Sequence, residues 1–287
     1  MPCPYEFTAA RGSPALDAVC AHAIYWDRWT EPMIAIIDLG TGNLRSVEKA
    51  LHQLGYPAQV TTHTPTVLKA DAVILPGVGA FAKAMAALQQ EGLAQAIEMT
   101  VNAGKPFMGI CLGLQLLFEV SEEFGEVKGL GLLRGRVKRL SGAAFAAPAP
   151  QPQSPAAAWD PVPANFGRAQ PSEPSTPAEP RLKVPHIGWN SIRIVKLHPA
   201  LAGIPQDSMF YFVHSYAVVP EADGYTCATT DYGIEFTSAV GWGKVFACQF
   251  HPEKSGRAGL RVLDNFARMA YPQGPLEPPG AIAQTIR

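Results

Sequence analysis

Two short segments, far apart in the chain, carry the residue types that a covalent acyl transfer needs. The first is Gly109-Ile110-Cys111-Leu112-Gly113. A nucleophile with glycine two residues away on each side follows the pattern of a nucleophile elbow. There the glycines relieve crowding at a sharp strand-to-helix turn that exposes the reactive side chain. A cysteine at a helix N-terminus also favours its thiolate, because free N–H groups and the helix dipole stabilise negative charge. The second segment is His251-Pro252-Glu253. In extended chain, residues two apart project to the same side. Glu253 can then hold one ring nitrogen of His251, leaving the other to exchange a proton with the cysteine. Read alone, the cysteine would be a small buried hydrophobe and the His-x-Glu a surface pair. Read together, they predict a Cys111–His251–Glu253 triad. Cys3, Cys20, Cys227 and Cys248 lack such a context and read as structural or incidental.

The ordered pattern that must position these residues begins at Met33. Met33 to Asp38 reads as a short buried strand, followed by a turn over Leu39–Asn43. Leu44, Val47, Leu51 and Leu54 recur at helical spacing until Gly55-Tyr56-Pro57 stops the helix. Ala72–Leu75 is a second apolar strand ending in Pro76-Gly77-Val78-Gly79, with helices predicted over 80–91 and 93–103. Pro106–Ile110 is a third strand, and Leu112–Phe118 reads as a helix. Apolar strands alternating with helices predict a largely parallel sheet covered on both faces. Further on, Leu182–Val195, Met209–Val219, Tyr225–Thr230, Ile234–Val240 and Lys244–Phe250 read as short strands and hairpins, and a helix closes the pattern over Ala258–Ala270.

The remaining stretches bound the organisation. With 287 residues and 47% hydrophobic residues, the chain can bury one sizeable core. Residues 1–32 have no clean period and read as a poorly ordered N-terminal extension; Met33 is a candidate for the true start. From 143 to 180, 38 residues hold 10 prolines and 11 alanines, too few large apolar groups to offset chain ordering. This is expected to be a flexible insertion, either a tolerated surface loop or a regulatory or docking segment. It interrupts one domain over 33–270, since neither flank has enough strands to close a core alone. Residues 271–287 form a proline-containing tail. A net charge of −1 gives no electrostatic case for nucleic acid or a membrane surface. No apolar run approaches the roughly 20 residues of a membrane span, and the opening residues lack a secretory pattern. Five cysteines without a C-x-x-C pair predict no metal site and a reducing, cytoplasmic setting.

Gly-Ile-Cys-Leu-Gly-Leu-Gln at 109–115, with Phe-His-Pro-Glu-Lys-Ser at 250–255, resembles the triad (class I) glutamine amidotransferases. Four more segments are similar to the glutaminase subunits of imidazole glycerol phosphate synthases: Asp38 to Ser46, Leu75 to Phe81, Pro185-His-Ile-Gly-Trp-Asn190 and Tyr211-Phe-Val-His-Ser-Tyr216. The resemblance covers about 33–141 and 181–270. The extension, the insertion and the tail depart from it without touching a motif. It implies a flavodoxin-like α/β fold: a mostly parallel central sheet, helices on both faces and an added antiparallel hairpin region.

The resemblance also implies a mechanism. Cys111 attacks the side-chain amide of L-glutamine, His251 protonates the leaving ammonia, and water activated by the same histidine hydrolyses the glutamyl thioester. The oxyanion would be met by the N–H of Leu112 and by the Gly77-Val78-Gly79 loop, whose glycines let a peptide rotate. Gln115, Glu123, His214, Ser215 and Tyr216 are implied to contact glutamine. No cofactor is implied. The implied partner is a separate (β/α)8-barrel cyclase forming a heterodimer with this chain. It would receive the ammonia and convert N'-[(5-phosphoribulosyl)formimino]-5-aminoimidazole-4-carboxamide ribonucleotide into imidazole glycerol phosphate and the aminoimidazole carboxamide ribotide. Trp189 suits an interface anchor, with Asn43, His186 and Asn190 as neighbours on that face. Alternatives are the glutaminase component of another synthase, a catalytically idle scaffold of the same fold, or a cysteine hydrolase with a similar elbow.

Overall fold

Four consecutive aliphatic residues, Ile34–Ile37, form strand β1, and all four are buried. Its side chains alternate: Ile34 and Ile36 enter one apolar layer, Ala35 and Ile37 the other. That is the demand of a strand covered on both faces. In the computed structural model of the chain, residues 32–40, 42–145 and 181–276 are described. The expected extension up to Glu31, the insertion from Ala146 and the tail beyond Leu276 lie outside the described residues.

Helix α1 (Leu44–Gln53) follows β1, and strand β2 (Ala58–Thr61) returns parallel to it. Helix α2 (Thr64–Lys69) leads to strand β3 (Ala72–Gly77), helices α3 (Phe81–Gln90) and α4 (Leu93–Asn102), and strand β4 (Phe107–Cys111). The pairings β2–β1, β1–β3 and β3–β4 are all parallel. Strand β14 (Val245–Cys248) lies parallel to β4 on its other side. This pairing brings the two chemistry-bearing segments together, because both strands end at the same sheet edge.

Beyond β14 the sheet turns antiparallel through β13 (Glu235–Trp242), β11 (Tyr216–Pro220) and β7 (Leu133–Arg139). Strands β5 (Phe118–Ser121) and β6 (Val127–Lys128) finish that side, and β12 (Thr226–Asp231) pairs with β13 and with the short β9 (Arg193–Ile194). A separate two-stranded sheet joins β8 (His186–Ser191) to β10 (Met209–His214), antiparallel. Helix α6 (Gly256–Ala270) closes the fold. One face of the main sheet is covered by α1 and α6, the other by α2, α3 and α4. Val262, Leu263 and Phe266 of α6 are fully buried, each contributing about 1.5–3 kcal/mol relative to exposure.

The α/β architecture expected from the alternating pattern is therefore present, and four local expectations need correction. The helix expected over Leu112–Phe118 is only α5 (Leu112–Gln115); Phe118 instead starts β5, parallel to β7. An apolar run of that length does not distinguish helix from strand, and pairing with β7 decides it. Strands β2, β5, β6 and β7 and helix α2 were not separated by the sequence pattern. The insertion does not start at 143: Phe145 is buried, packs on Tyr232 and bridges to Leu182. The core also continues past 270. Tyr271 stacks on Tyr56 and its hydroxyl reaches Asp71 at 3.1 Å, while the Leu276 N–H donates to the Gly55 carbonyl.

Candidate active site

The elbow is built by backbone packed on backbone. Cys111 ends β4 in an uncommon conformation, φ 55° and ψ −107°, which costs a non-glycine residue on the order of 1–3 kcal/mol. The chain can take this turn because its two glycines sit where no Cβ fits. A Cβ on Gly113 would lie 1.8 Å from the Leu75 carbonyl oxygen, and one on Gly109 would lie 2.7 Å from the Gly113 carbonyl oxygen. Parallel pairing sets Gly77 of β3 opposite Cys111. The backbone of Leu112 and the Gly77–Gly79 loop thus lie beside Cys111. The helix dipole expected behind Cys111 is small, since α5 is a single turn.

His251 and Glu253 meet, but not through an extended chain. His251 is extended (φ −101°, ψ 95°), whereas Pro252–Lys254 folds into one 3-10 turn. That turn swings Glu253 back, so Nδ1 of His251 donates to Oε1 of Glu253 at 2.8 Å, with both side chains almost wholly buried. Ser255 pins the turn to β10. Its hydroxyl donates to the His251 carbonyl at 2.6 Å and accepts from the Tyr211 N–H at 3.0 Å, while the His251 N–H donates to the Tyr211 carbonyl at 2.9 Å. Burial lowers the pKa of His251, but the adjoining Cys111 thiol and Glu253 carboxylate outweigh it, and the net shift is upward. Its Nε2 is buried with no hydrogen-bond partner among the described residues. A base with one nitrogen oriented and the other unoccupied beside a thiol is equipped to move a proton.

A cavity of about 430 Å³ opens over Cys111, within the range of small-molecule sites. Val78, Gly79 and Leu112 line it beside the thiol, and Gln115, Glu123, His214, Ser215 and Tyr216 line its walls. Every residue expected to contact a small substrate therefore faces this one cavity. Glu123 accepts from the Phe81 N–H at 2.6 Å through Oε2. Arg139 and Phe124, which the sequence did not single out, also line the cavity. Arg139 puts a cation on the rim that Glu123 shares.

The residues expected on a partner-facing surface divide. Trp189 is 54% exposed, Asn43 is exposed, and Asn190 is half-buried. His186 corrects the expectation, being 2% exposed and stacked between Tyr232 and Phe212 at centroid distances of 3.9 and 4.9 Å. Strand alternation sends it inward while Ile187 and Trp189, one and three residues on, point out. Burial lowers the pKa of His186 to about 4. For His214 burial acts first, with His186 and His251 nearby, and the value falls to about 3 despite the bond to the Tyr216 carbonyl.

One residue beside the nucleophile escaped the sequence reading. Gln249 is fully buried, and its Nε2 lies 3.5 Å from Cys111 Sγ. The signal was present: a lone amide between the apolar run of β14 and Phe250, at a position where the pattern calls for a hydrophobe. Among the described residues no group of three or more His, Cys, Asp or Glu could hold a metal ion, and no helix is long and apolar enough to cross a membrane.

Comparison with known proteins agrees with the geometry. The glutamine amidotransferase class-I family profile matches residues 35–270. A protein of Moorella thermoacetica named imidazole glycerol phosphate synthase subunit HisH is 46% identical over 241 residues, covering 84% of this chain and 97% of the relative. A protein of the same name from Syntrophotalea carbinolica is 45% identical, covering 83% of this chain and 100% of the relative. In fold, the chain is similar to a glutamine amidotransferase crystal structure (TM-score 0.56, 19% identity, 83% of this chain and 98% of that one). It is also similar to PurLQS from Thermotoga maritima (TM-score 0.57, 16% identity, 84% and 99%). The chain belongs to the class-I glutamine amidotransferase family.

Proposed function

We propose that this chain is the glutaminase subunit of an imidazole glycerol phosphate synthase, hydrolysing glutamine and passing the ammonia to a cyclase subunit. The observation that carries the chemistry is Cys111 lining the cavity with the imidazole of the buried His251–Glu253 pair adjoining its thiol. The identity of 46% across 97% of a HisH protein supports the choice of synthase.

In this reading the cavity takes glutamine with its side-chain amide toward Cys111. Arg139 faces the α-carboxylate, and the Glu123 carboxylate, with Oε1 left for a ligand, takes the α-ammonium group. Gln115, His214, Ser215 and Tyr216 form the wall along the substrate. Cys111 Sγ attacks the amide carbon while the proton passes to His251. The tetrahedral oxyanion develops toward the Leu112 N–H and the Gly77–Gly79 loop, where Gly79 already has φ 101° and Val78 is partly exposed. His251 Nε2 delivers the proton to the departing nitrogen. A water deprotonated by the same atom then cleaves the thioester, releasing glutamate. Glu253 holds the ring by Nδ1 and stabilises the imidazolium at each transfer.

The proposed docking face for a (β/α)8-barrel cyclase is the outer side of the β8–β10 sheet. Ile187, Trp189 and Met209 are about half exposed there. Trp189 pairs across the strands with Tyr211, over which Lys254 lies at 5.8 Å. An aromatic anchor is typical of a binding hot spot. Asn190 shares the inward parity of His186 and bonds it, so of the two expected asparagines only the exposed Asn43 is kept in this reading. A chain that works through a free thiol fits a reducing cytoplasm.

The test is a glutaminase assay of the chain alone and with the cyclase and its ligand. Weak activity alone, strong stimulation by the cyclase and abolition by Cys111→Ala are expected. Undiminished hydrolysis in Cys111→Ala, or no co-purification with the cyclase, would overturn the assignment.

A further inference from the structure

Two polar chains converge on the Tyr216 carbonyl oxygen, and a carbonyl can only accept. It takes one bond from His214 Nδ1 at 2.9 Å and one from Gln115 Nε2 at 3.1 Å. Those two contacts fix every proton further along. His214 Nδ1 must carry hydrogen, so in the neutral ring Nε2 accepts from His186 Nδ1 at 3.1 Å. His186 Nε2 then accepts from Asn190 Nδ2 at 3.4 Å. The Asn190 amide has the required orientation independently, since its Nδ2 donates to the Asp231 carbonyl and its Oδ1 accepts from the Ser191 N–H, both at 2.8 Å. Neutral rings are what burial of both histidines enforces.

The other branch reaches the nucleophile. The amide nitrogen of Gln115 is the atom facing the carbonyl, so its second hydrogen goes to Gln249 Oε1 at 3.1 Å. With its oxygen committed there, Gln249 presents Nε2 to Cys111 Sγ at 3.5 Å. The reverse flip would set two donors against each other at Gln115 and an acceptor against the sulfur.

We infer that Gln249 is a positioning residue for Cys111, donating an N–H to the sulfur in an orientation dictated by the Tyr216 carbonyl through Gln115. The inference rests on Cys111 being the nucleophile. An N–H donor stabilises the sulfur while it is negatively charged and holds it at the mouth of the cavity. The thiol has a contact of its own for the protonated state, 3.8 Å to the Val213 carbonyl. Once Gln115 has both hydrogens committed, only its oxygen is left for substrate, so Gln115 meets glutamine as an acceptor.

Two variants of the full chain, each in complex with the cyclase, separate polarity from shape. Gln249→Glu keeps the outline but turns an acceptor toward the sulfur; Gln249→Met keeps the volume and removes the donor. Both are read by kcat and KM for glutamine, by the rate of Cys111 alkylation with iodoacetamide, and by thermal midpoint. The expected result is a fall in kcat and in alkylation of about tenfold for Gln249→Met, as for loss of one hydrogen bond to a charged group. The fall is larger for Gln249→Glu, and KM stays within about twofold in both. Thermal stability should fall in both, because Glu buries a carboxylate and Met leaves a Gln115 hydrogen without an acceptor. A Gln249→Glu chain with wild-type alkylation and kcat would overturn the inference. If that chain does not fold, Gln249→Met decides alone, and wild-type alkylation in it overturns the inference. Wild-type protein whose Cys111 resists alkylation and which hydrolyses no glutamine would instead overturn the nucleophile assignment itself.

Discussion

In the parallel half of the sheet, Cys111 is held by main chain lying against main chain, with glycines where a methyl group would collide. One strand over, just past the end of β14, His251 is held by hydrogen bonds: Glu253 on its ring, Ser255 on its carbonyl, and Tyr211 on its N–H. The nucleophile therefore sits in a steric mould and the base in a polar one. A steric mould fails all at once when an atom is added. A polar mould loosens by degrees, one bond at a time, and depends on pH.

Four experiments bear on that contrast. The largest effect belongs to chemistry alone. Cys111→Ala should lose glutaminase activity by more than about a thousandfold while leaving the thermal midpoint near wild type, because the turn is made by its neighbours. An accompanying collapse of stability would mean that the cysteine itself holds the elbow. Next is Gly113→Ala, whose new Cβ would sit 1.8 Å from the Leu75 carbonyl oxygen. Destabilisation by more than about 3 kcal/mol is expected in chemical denaturation, and a mild loss would contradict the steric account. Ser255→Ala removes a donor and an acceptor from the base's mould and should cost about 1–3 kcal/mol with a partial loss of kcat. Complete inactivation of a folded Ser255→Ala chain would show the polar half to be as brittle as the steric one.

The smallest effect is a slope with pH. His186 and His214 have lowered pKa values, so the unfolded chain takes up protons first as pH falls. Their contribution is complete above the unfolded value of about 6.5 and is lost toward pH 4 and 3, at up to about 1.4 kcal/mol per pH unit for each. His251 is shifted upward, so its contribution is complete below about pH 6.5 and is lost as pH rises through its folded value. These histidines together place the stability maximum near pH 6.5. Denaturation midpoints that rise between pH 6.5 and 5 would refute this sign.

The same contrast governs what could be read from the sequence. Gly-x-Cys-x-Gly is legible because a steric mould leaves its signature in adjacent residues: the strand, the turn and the glycines are local. The pairing of His251 with Glu253 was foreseen in composition but not in geometry, since a 3-10 turn rather than an extended chain brings them together. Gln249 was missed because its meaning lies in two contacts, 134 and 138 residues away in sequence. The sequence misplaces His186 on the surface for a similar reason. Its neighbours Ile187 and Trp189 do face out, and only the strand's alternation against Phe212 and Tyr232 turns it inward. Phe145 and Tyr271 extend the core beyond the expected limits because single aromatics can anchor a segment whose composition otherwise reads as tail or linker.

A main-chain carbonyl is a hydrogen-bonding group that no codon change removes. The Tyr216 oxygen is therefore inherited with the fold, and with it the direction in which every N–H of the network points. The side chains can vary, but not independently. A change at Gln115 from donor to acceptor strands the oxygen of Gln249, and a change at His214 strands the proton of His186. Viable sequences are then separated by coordinated steps, and drift at these positions is expected to leave correlated substitutions.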